Sequence, residues 1–369
     1  MKVIFYIGHH KVGSTALQVF LAQNWLRLAR AGILYPAVES KGFTANLARA
    51  LAGQDHAEIA DVNIREPHSA LAYKMMAEKV ETRKVPKQFR QLPSTQQMMF
   101  ALRNQIQTLE PHSVILCSEA FANFGEVRPE LIDTLREQLP EAEFELYCTL
   151  RRPDDYLVSW HGQRLKVGEK LRPLSDGGAD PYFEHIHFNF RTVIEPWAQR
   201  LPDARLILRP YSEVLAAGGS TRDFADQISA DFPDGMIPAG RANRSLPRAA
   251  LEIVRRGNHA LPPAQAHQLA QYLLRADTGL EPARNEDVEM FGADLRATIA
   301  GRFAPIHDYL SDLSGRARFF DDINRIRDTR PVPEREAASQ LLAQIDPDRL
   351  PPAPALRDFI RSLMAGTAA

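Results

Sequence analysis

The chain opens on an unbroken apolar run, Val3-Ile4-Phe5-Tyr6-Ile7, stopped by Gly8. A run this short and this apolar predicts a central strand of a parallel sheet, buried on both faces. A polar, glycine-containing turn follows. From Ala16 to Arg30 the apolar positions Leu17, Phe20, Leu21, Trp25 and Leu28 recur at helical spacing, and Gly32 sits where a helix-ending glycine belongs. The first thirty or so residues therefore read as strand, polar loop, helix, the opening half of a βαβ unit.

Residues 36–94 carry weaker periodicity and a basic stretch, Arg83, Lys84, Lys87 and Arg90. This region is expected to be partly helical, a lid or substrate wall. Regular patterning returns with a helix over Thr95–Leu109, a strand over Ser113–Cys117, a helix over about 129–139 and a strand over about 144–150. Further helices are predicted over 154–167 and 188–201, with a short strand at 205–208 between later elements. The alternation predicts a mostly parallel sheet covered on both faces. Beyond residue 220 the pattern is helical (221–230, 247–256, 263–275 and 288–302). The last forty residues hold Pro331, Pro333, Pro347, Pro351, Pro352 and Pro354, expected as short helices on a Pro-rich connector. The predicted organisation is one α/β domain over 1–320 with an extension over 321–369.

Composition narrows the function classes. The 369 residues balance 45 Lys and Arg against 46 Asp and Glu, so a whole-surface grip on nucleic acid is not expected. Two cysteines cannot build a disulfide framework or a four-cysteine zinc site. Residues 3–8 are too short for a signal-peptide core. No stretch approaches the ~20 apolar residues of a membrane helix. A cytoplasmic protein without integral membrane contact is expected, its oligomeric state left open.

Two stretches carry chemistry. Gly8-His9-His10-Lys11-Val12-Gly13-Ser14-Thr15 lies between the first strand and the first helix, where open α/β sheets bind phosphate. Gly8 and Gly13 permit a sharp turn and close approach to an anion. The amides of Gly13, Ser14, Thr15 and Ala16 would point out from a helix start. Lys11, Ser14 and Thr15 add a charge and two hydroxyls. The glycine spacing matches the nucleotide-binding pattern G-x-x-x-x-G-K-[ST], but Ser14 stands where its lysine belongs. The tandem His9-His10 lacks a third ligand at helical spacing, so no metal is expected. The second stretch is Leu150-Arg151-Arg152-Pro153-Asp154-Asp155, running on to Ser159. Pro153 suits the first turn of a helix, and the two aspartates suit its positive end. Arg151 and Ser159 could converge on one anion; the alternative is a solvated Arg-Asp cap.

Together these stretches resemble the sulfotransferases that use 3′-phosphoadenosine-5′-phosphosulfate (PAPS), most closely the bacterial carbohydrate type. His10 through Leu17 is similar to that family's 5′-phosphosulfate loop, P-K-x-G-T-T-x-L, with His10 for proline and Ser14 for threonine. Arg151 through Ser159 is similar to its 3′-phosphate motif, R-N-P-x-D-x-x-x-S, with Arg152 for asparagine. The resemblance covers about 1–35 and 113–212. It implies a P-loop-type three-layer α/β fold with a helical C-terminal part. It places Lys11, Gly13, Ser14, Thr15 and Ala16 on the 5′ side of PAPS, and Arg151 and Ser159 on its 3′ phosphate. Arg241 through Leu246 stands where the family often has a loop over the nucleotide; a basic helix flank is the alternative.

Sulfuryl transfer needs positioning, charge stabilisation and a general base, and no metal. Lys11 would stabilise the leaving group. Glu119, at the end of the strand Ser113–Cys117, is the first candidate base; its alternative is to cap a helix beginning near Ala120. His9, His10 and His161 are further candidates, His161 otherwise a helix-surface residue. His185 and His187 are read as structural or substrate-facing. The expected acceptor is a carbohydrate or glycoconjugate hydroxyl. The competing readings are a P-loop-type kinase or nucleotide hydrolase, for which Asp154 and Asp155 are the only nearby magnesium candidates, and a non-catalytic nucleotide-binding module.

Overall fold

The computed structural model describes residues 1–54, 61–89, 91–240 and 245–366. Arg90 of the basic stretch and Arg241 through Arg244 of the expected nucleotide loop lie outside the described residues. The chain resolves into two compact units. The first comprises Met1–Arg151, Asn189–Ala242 and Asp308–Phe319; the second comprises Arg152–Phe188, Asn243–His307 and Phe320–Ala369.

The first unit holds five strands: β1 (Lys2–Tyr6), β2 (Ile33–Leu34), β3 (Ser113–Cys117), β4 (Glu143–Leu150) and β5 (Arg205–Pro210). Their order in the sheet is β2-β3-β1-β4-β5. Every pairing is parallel. The α/β class read from the pattern is therefore found, and the sheet is parallel throughout. Tyr6 at the end of β1 is level with Cys117 of β3 and Tyr147 of β4, so the segments leaving β1 and β3 emerge side by side. The strand order reverses across β1, the position where open α/β sheets offer a binding crevice.

Both faces of β1 are buried, as its apolar run requires. Ile4 and Tyr6 pack with Leu17 and Leu21 of the first helix, α1 (Ser14–Gln23). Phe5 points the other way, with ring centroids 5.1 Å from Trp197 and 5.9 Å from Phe121. The helix expected over residues 16–30 is two, α1 and a shorter one over Trp25–Arg30. The break falls at Asn24, whose buried side chain both donates to the Ile237 carbonyl and accepts from the Ile237 amide. Gly32 does adopt a left-handed φ of 73°. Within the region read as variable, helices form over Ser40–Leu51, Val62–Arg65 and Pro67–Lys79.

The second unit is mainly helical. Its helices include Pro153–Lys166, Arg248–Ala260, Pro263–Leu274, Glu334–Leu342 and Pro354–Met364. A short parallel pair, Val288–Glu289 with Val332–Pro333, accompanies them. An ionic cluster anchors its interior. Arg152 pairs with Asp154, Asp155 and Asp322. Arg296, 1% exposed, pairs with Glu289 at 2.8 Å and reaches Asp154 at 3.6 Å. Arg248 holds Asp155 at 2.7 Å. No helix among the described residues is long and apolar enough to cross a membrane.

Candidate functional site

The loop after β1 begins as an extension of the sheet. The Ile7 amide donates to the Tyr147 carbonyl at 2.9 Å and the His9 amide to the Thr149 carbonyl at 3.1 Å. This pairing explains Gly8, where a side chain would come within 2.8 Å of the Thr149 amide nitrogen and 2.9 Å of the Tyr6 hydroxyl. The chain then turns through two left-handed residues, Lys11 at φ 63° and Gly13 at φ 89°. Glycine takes that conformation freely; lysine does so at a cost of about 1 kcal/mol. A non-glycine residue held there is a mark of a constrained loop. Gly13 is fixed further by the Ser220 hydroxyl, which donates to its carbonyl at 2.9 Å. Ser14 opens α1, so the first free amides of the helix face the loop.

Glu119 meets this loop. The Ser118 amide donates to the Tyr6 carbonyl, which carries the end of β3 alongside the end of β1. Glu119 Oε2 then accepts from Gln18 Nε2 of α1 at 3.1 Å, and Oε1 lies 3.8 Å from His10 Nδ1. The Ser14 hydroxyl also donates to this carboxyl. The side chain is 16% exposed. Burial raises its pKa from the ordinary carboxylate value, against the pull of its own backbone amide, Ser14 and Gln18. The capping role weighed for Glu119 belongs to its neighbour: the Ser118 hydroxyl accepts from the Ala120 amide at 2.9 Å, at the start of the short 3₁₀ helix Glu119–Asn123.

The histidines separate by environment. His10 is lowered to about 4, first by burial and then by the Lys11 charge. It is neutral at neutral pH. His9 is fully buried and packs edge-on against Phe190, ring centroids 4.3 Å apart. His161 is not a surface residue. It is 2% exposed, its Nδ1 lies 3.0 Å from the Tyr182 hydroxyl, and burial lowers it to about 4. His187 lies 3.0 Å from the Tyr156 hydroxyl and stacks on Trp160, a packing role.

Arg151, the residue after β4, is half-buried over the Tyr211 ring, its guanidinium carbon 5.5 Å from the centroid. It makes no ion pair among the described residues. Arg152 is its opposite, spent on three aspartates. Asp154 and Asp155, the magnesium candidates of the kinase reading, are committed to arginines in the same cluster. Ser159 lies in the second turn of the helix Pro153–Lys166, half-buried. Among the described residues no group of His, Cys, Asp and Glu is arranged to hold a metal ion.

A cleft of about 780 Å³ opens at the opposite ends of the strands, lined by Lys2, Glu143 and Arg205 where β1, β4 and β5 begin. Its Arg200 and Arg205 are engaged by Asp133 and Glu145. It is distant in topology from the strand ends that bind ligands in open α/β sheets. The signal that sequence reading missed is Gln18. It stands on the buried face of α1 among apolar residues, and a polar residue at such a position asks for a partner.

A search for similar proteins returns an uncharacterized protein of Archaeoglobus fulgidus, 28% identical over 167 residues. The match covers 44% of this chain and 44% of that protein. No family model and no solved structure matches the chain.

Proposed function

We propose that the protein is a PAPS-dependent sulfotransferase that transfers the sulfuryl group to a hydroxyl, of a carbohydrate or glycoconjugate. The observation that carries this reading is the joining of a constrained Lys/Ser/Thr loop at a helix start to a buried carboxyl of raised basicity. A loop that cradles an anion and a base within reach of the same place are the two parts the reaction needs.

In this mechanism the amides of the α1 start, that of Ser14 among them, with the Thr15 hydroxyl would hold the 5′ phosphosulfate, and Lys11 would stabilise the charge that develops on its bridging oxygen. The acceptor hydroxyl loses its proton to Glu119 as its oxygen bonds to sulfur. The bond between sulfur and the bridging oxygen breaks, and its electron pair leaves on adenosine-3′,5′-bisphosphate beside Lys11. Arg151 is assigned to the 3′ phosphate, a role supported by its making no ion pair among the described residues, and Ser159 is assigned with it from the sequence motif. No step calls for a metal.

The test is a thermal-shift titration with adenosine-3′,5′-bisphosphate and, separately, with ATP and magnesium. At about a hundred times its dissociation constant the bisphosphate should add ~2.7 kcal/mol of stability. Equal stabilisation by ATP-magnesium would favour the kinase reading instead. Transfer of labelled sulfate from PAPS to a panel of sugars then separates an enzyme from a binding module.

A further inference from the structure

Gln18 stands one helical turn after Ser14, so the two side chains share a face of α1. It is fully buried. Its Nε2 lies 3.1 Å from Glu119 Oε2, 3.0 Å from Ser69 Oγ and 3.2 Å from the Cys117 carbonyl oxygen. A carbonyl can only accept, and so can an ionised carboxylate. The amide must therefore present its nitrogen here, since the flipped orientation would set Oε1 against both. Ser69 Oγ is in turn 2.8 Å from Ser118 Oγ, and the two hydrogens of Nε2 are shared among three acceptors, Ser69, the Cys117 carbonyl and Glu119. The side chain is held from two separate segments of the chain, at Ser69 and at Cys117 to Glu119.

The same amide leaves its Oε1 buried with no partner among the described residues. A buried acceptor without a donor costs free energy that an apolar side chain of equal length would not. Packing alone does not account for glutamine at this position. Its donor pair does: it fixes one oxygen of the carboxyl that lies against the loop.

We propose that Gln18 is a positioning residue for Glu119. It ties down Oε2 and so sets Oε1, the oxygen facing His10, toward the loop, where it receives a proton. That the proton comes from the hydroxyl of a sulfate acceptor rests on the sulfotransferase reading; the clamp itself does not. The other groups that act on the Glu119 carboxyl are its own backbone amide, Ser14 and His10 of the loop side, Tyr6 and Cys117 of the strands, Tyr35, Glu66 and, in the helix Pro67–Lys79, Tyr73.

The experiment follows the protonation of Glu119 by infrared difference spectroscopy against pH, its carboxyl band identified by loss in Glu119→Gln. In Gln18→Met, which keeps length and removes the donor, the midpoint should rise by about one pH unit, because the lost hydrogen bond favoured the charged form. Gln18→Asn, too short to reach, should give a similar rise. Where sulfate transfer is measurable, kcat should fall about tenfold with the bisphosphate dissociation constant within twofold of wild type. An unmoved midpoint in either folded variant overturns the proposal, and so does failure of both variants to fold, which would make Gln18 structural. The titration needs no turnover, so a protein that binds no bisphosphate ends the sulfotransferase reading without deciding this one.

Discussion

Arg151 and Arg152 are neighbours in the chain with opposite electrostatic surroundings. Arg152 is paired three times, and removing it leaves buried Asp154 without its closest counter-charge. Arg152→Ala should cost about 3–5 kcal/mol in urea unfolding, the range for breaking a buried ion pair from one side. Arg151 has a ring beneath it and, among the described residues, no carboxylate partner. Arg151→Ala should leave unfolding nearly unchanged and weaken adenosine-3′,5′-bisphosphate by one to two decades, the worth of one charge-assisted contact at ~1.5–3 kcal/mol. Normal affinity in that variant would remove Arg151 from the 3′ phosphate. Lys11 and Glu119 separate in the same way. Loss of Lys11 should depress both turnover and cofactor affinity, whereas Glu119→Gln should cut single-turnover transfer ~10²–10⁴-fold at near-constant affinity. Near-normal transfer by Glu119→Gln would return the proton to a histidine.

At the scale of elements, the loop between β1 and α1 depends on one backbone conformation. Gly13 sits at φ 89°, and an added Cβ would come within 2.7 Å of the Ser220 hydroxyl. Gly13→Ala should therefore cost ~1–3 kcal/mol and displace the amides that open α1. Circular dichroism melting and bisphosphate titration of that variant check both effects; an unaltered melt would show that the turn has slack. Helix and strand positions here were largely legible beforehand. The helix Thr95–Leu109 and the strand Ser113–Cys117 coincide with the periodicity reading, because both are long or wholly apolar runs with clear ends. The two-residue β2 was missed, since Ile33–Leu34 is too short to show a period. The break at Asn24 was missed because its cause, residue 237, is far away in sequence.

For the whole molecule, pH acts through buried groups of opposite sense. Glu334, beside Glu252, is raised to about 7, first by burial and then by that like charge, with Arg255 and Arg335 opposing. A carboxyl raised on folding binds its proton more tightly in the folded state. Its contribution is present below the unfolded value near 4.5 and is lost as pH rises through 7. Glu334→Gln should therefore stabilise the protein at pH 8 by on the order of 2 kcal/mol and change little at pH 5, as read from urea midpoints. His68 and His161 run the other way. Burial lowers them to about 3 and about 4, so the folded state resists their protonation, and stability falls as pH drops below about 6.5.

What the sequence determined by itself is what local pattern encodes. The apolar runs make β1, β3 and β4 central parallel strands, and the glycine, lysine and hydroxyl residues of 8–15 form the turn into α1. The placing of Glu119 at a strand end also follows from its position after Cys117. Only the tertiary structure decided which distant residues meet. Gln18 and Glu119 are 101 positions apart, and their contact depends on the parallel register that sets β3 beside β1. That Arg152 is buried among aspartates while Arg151 is not, and that His161 is a core residue and not a surface one, depends likewise on long-range packing. Periodicity records which face of an element is buried; it does not record against what, and the chemistry of a buried polar group is set by its partners.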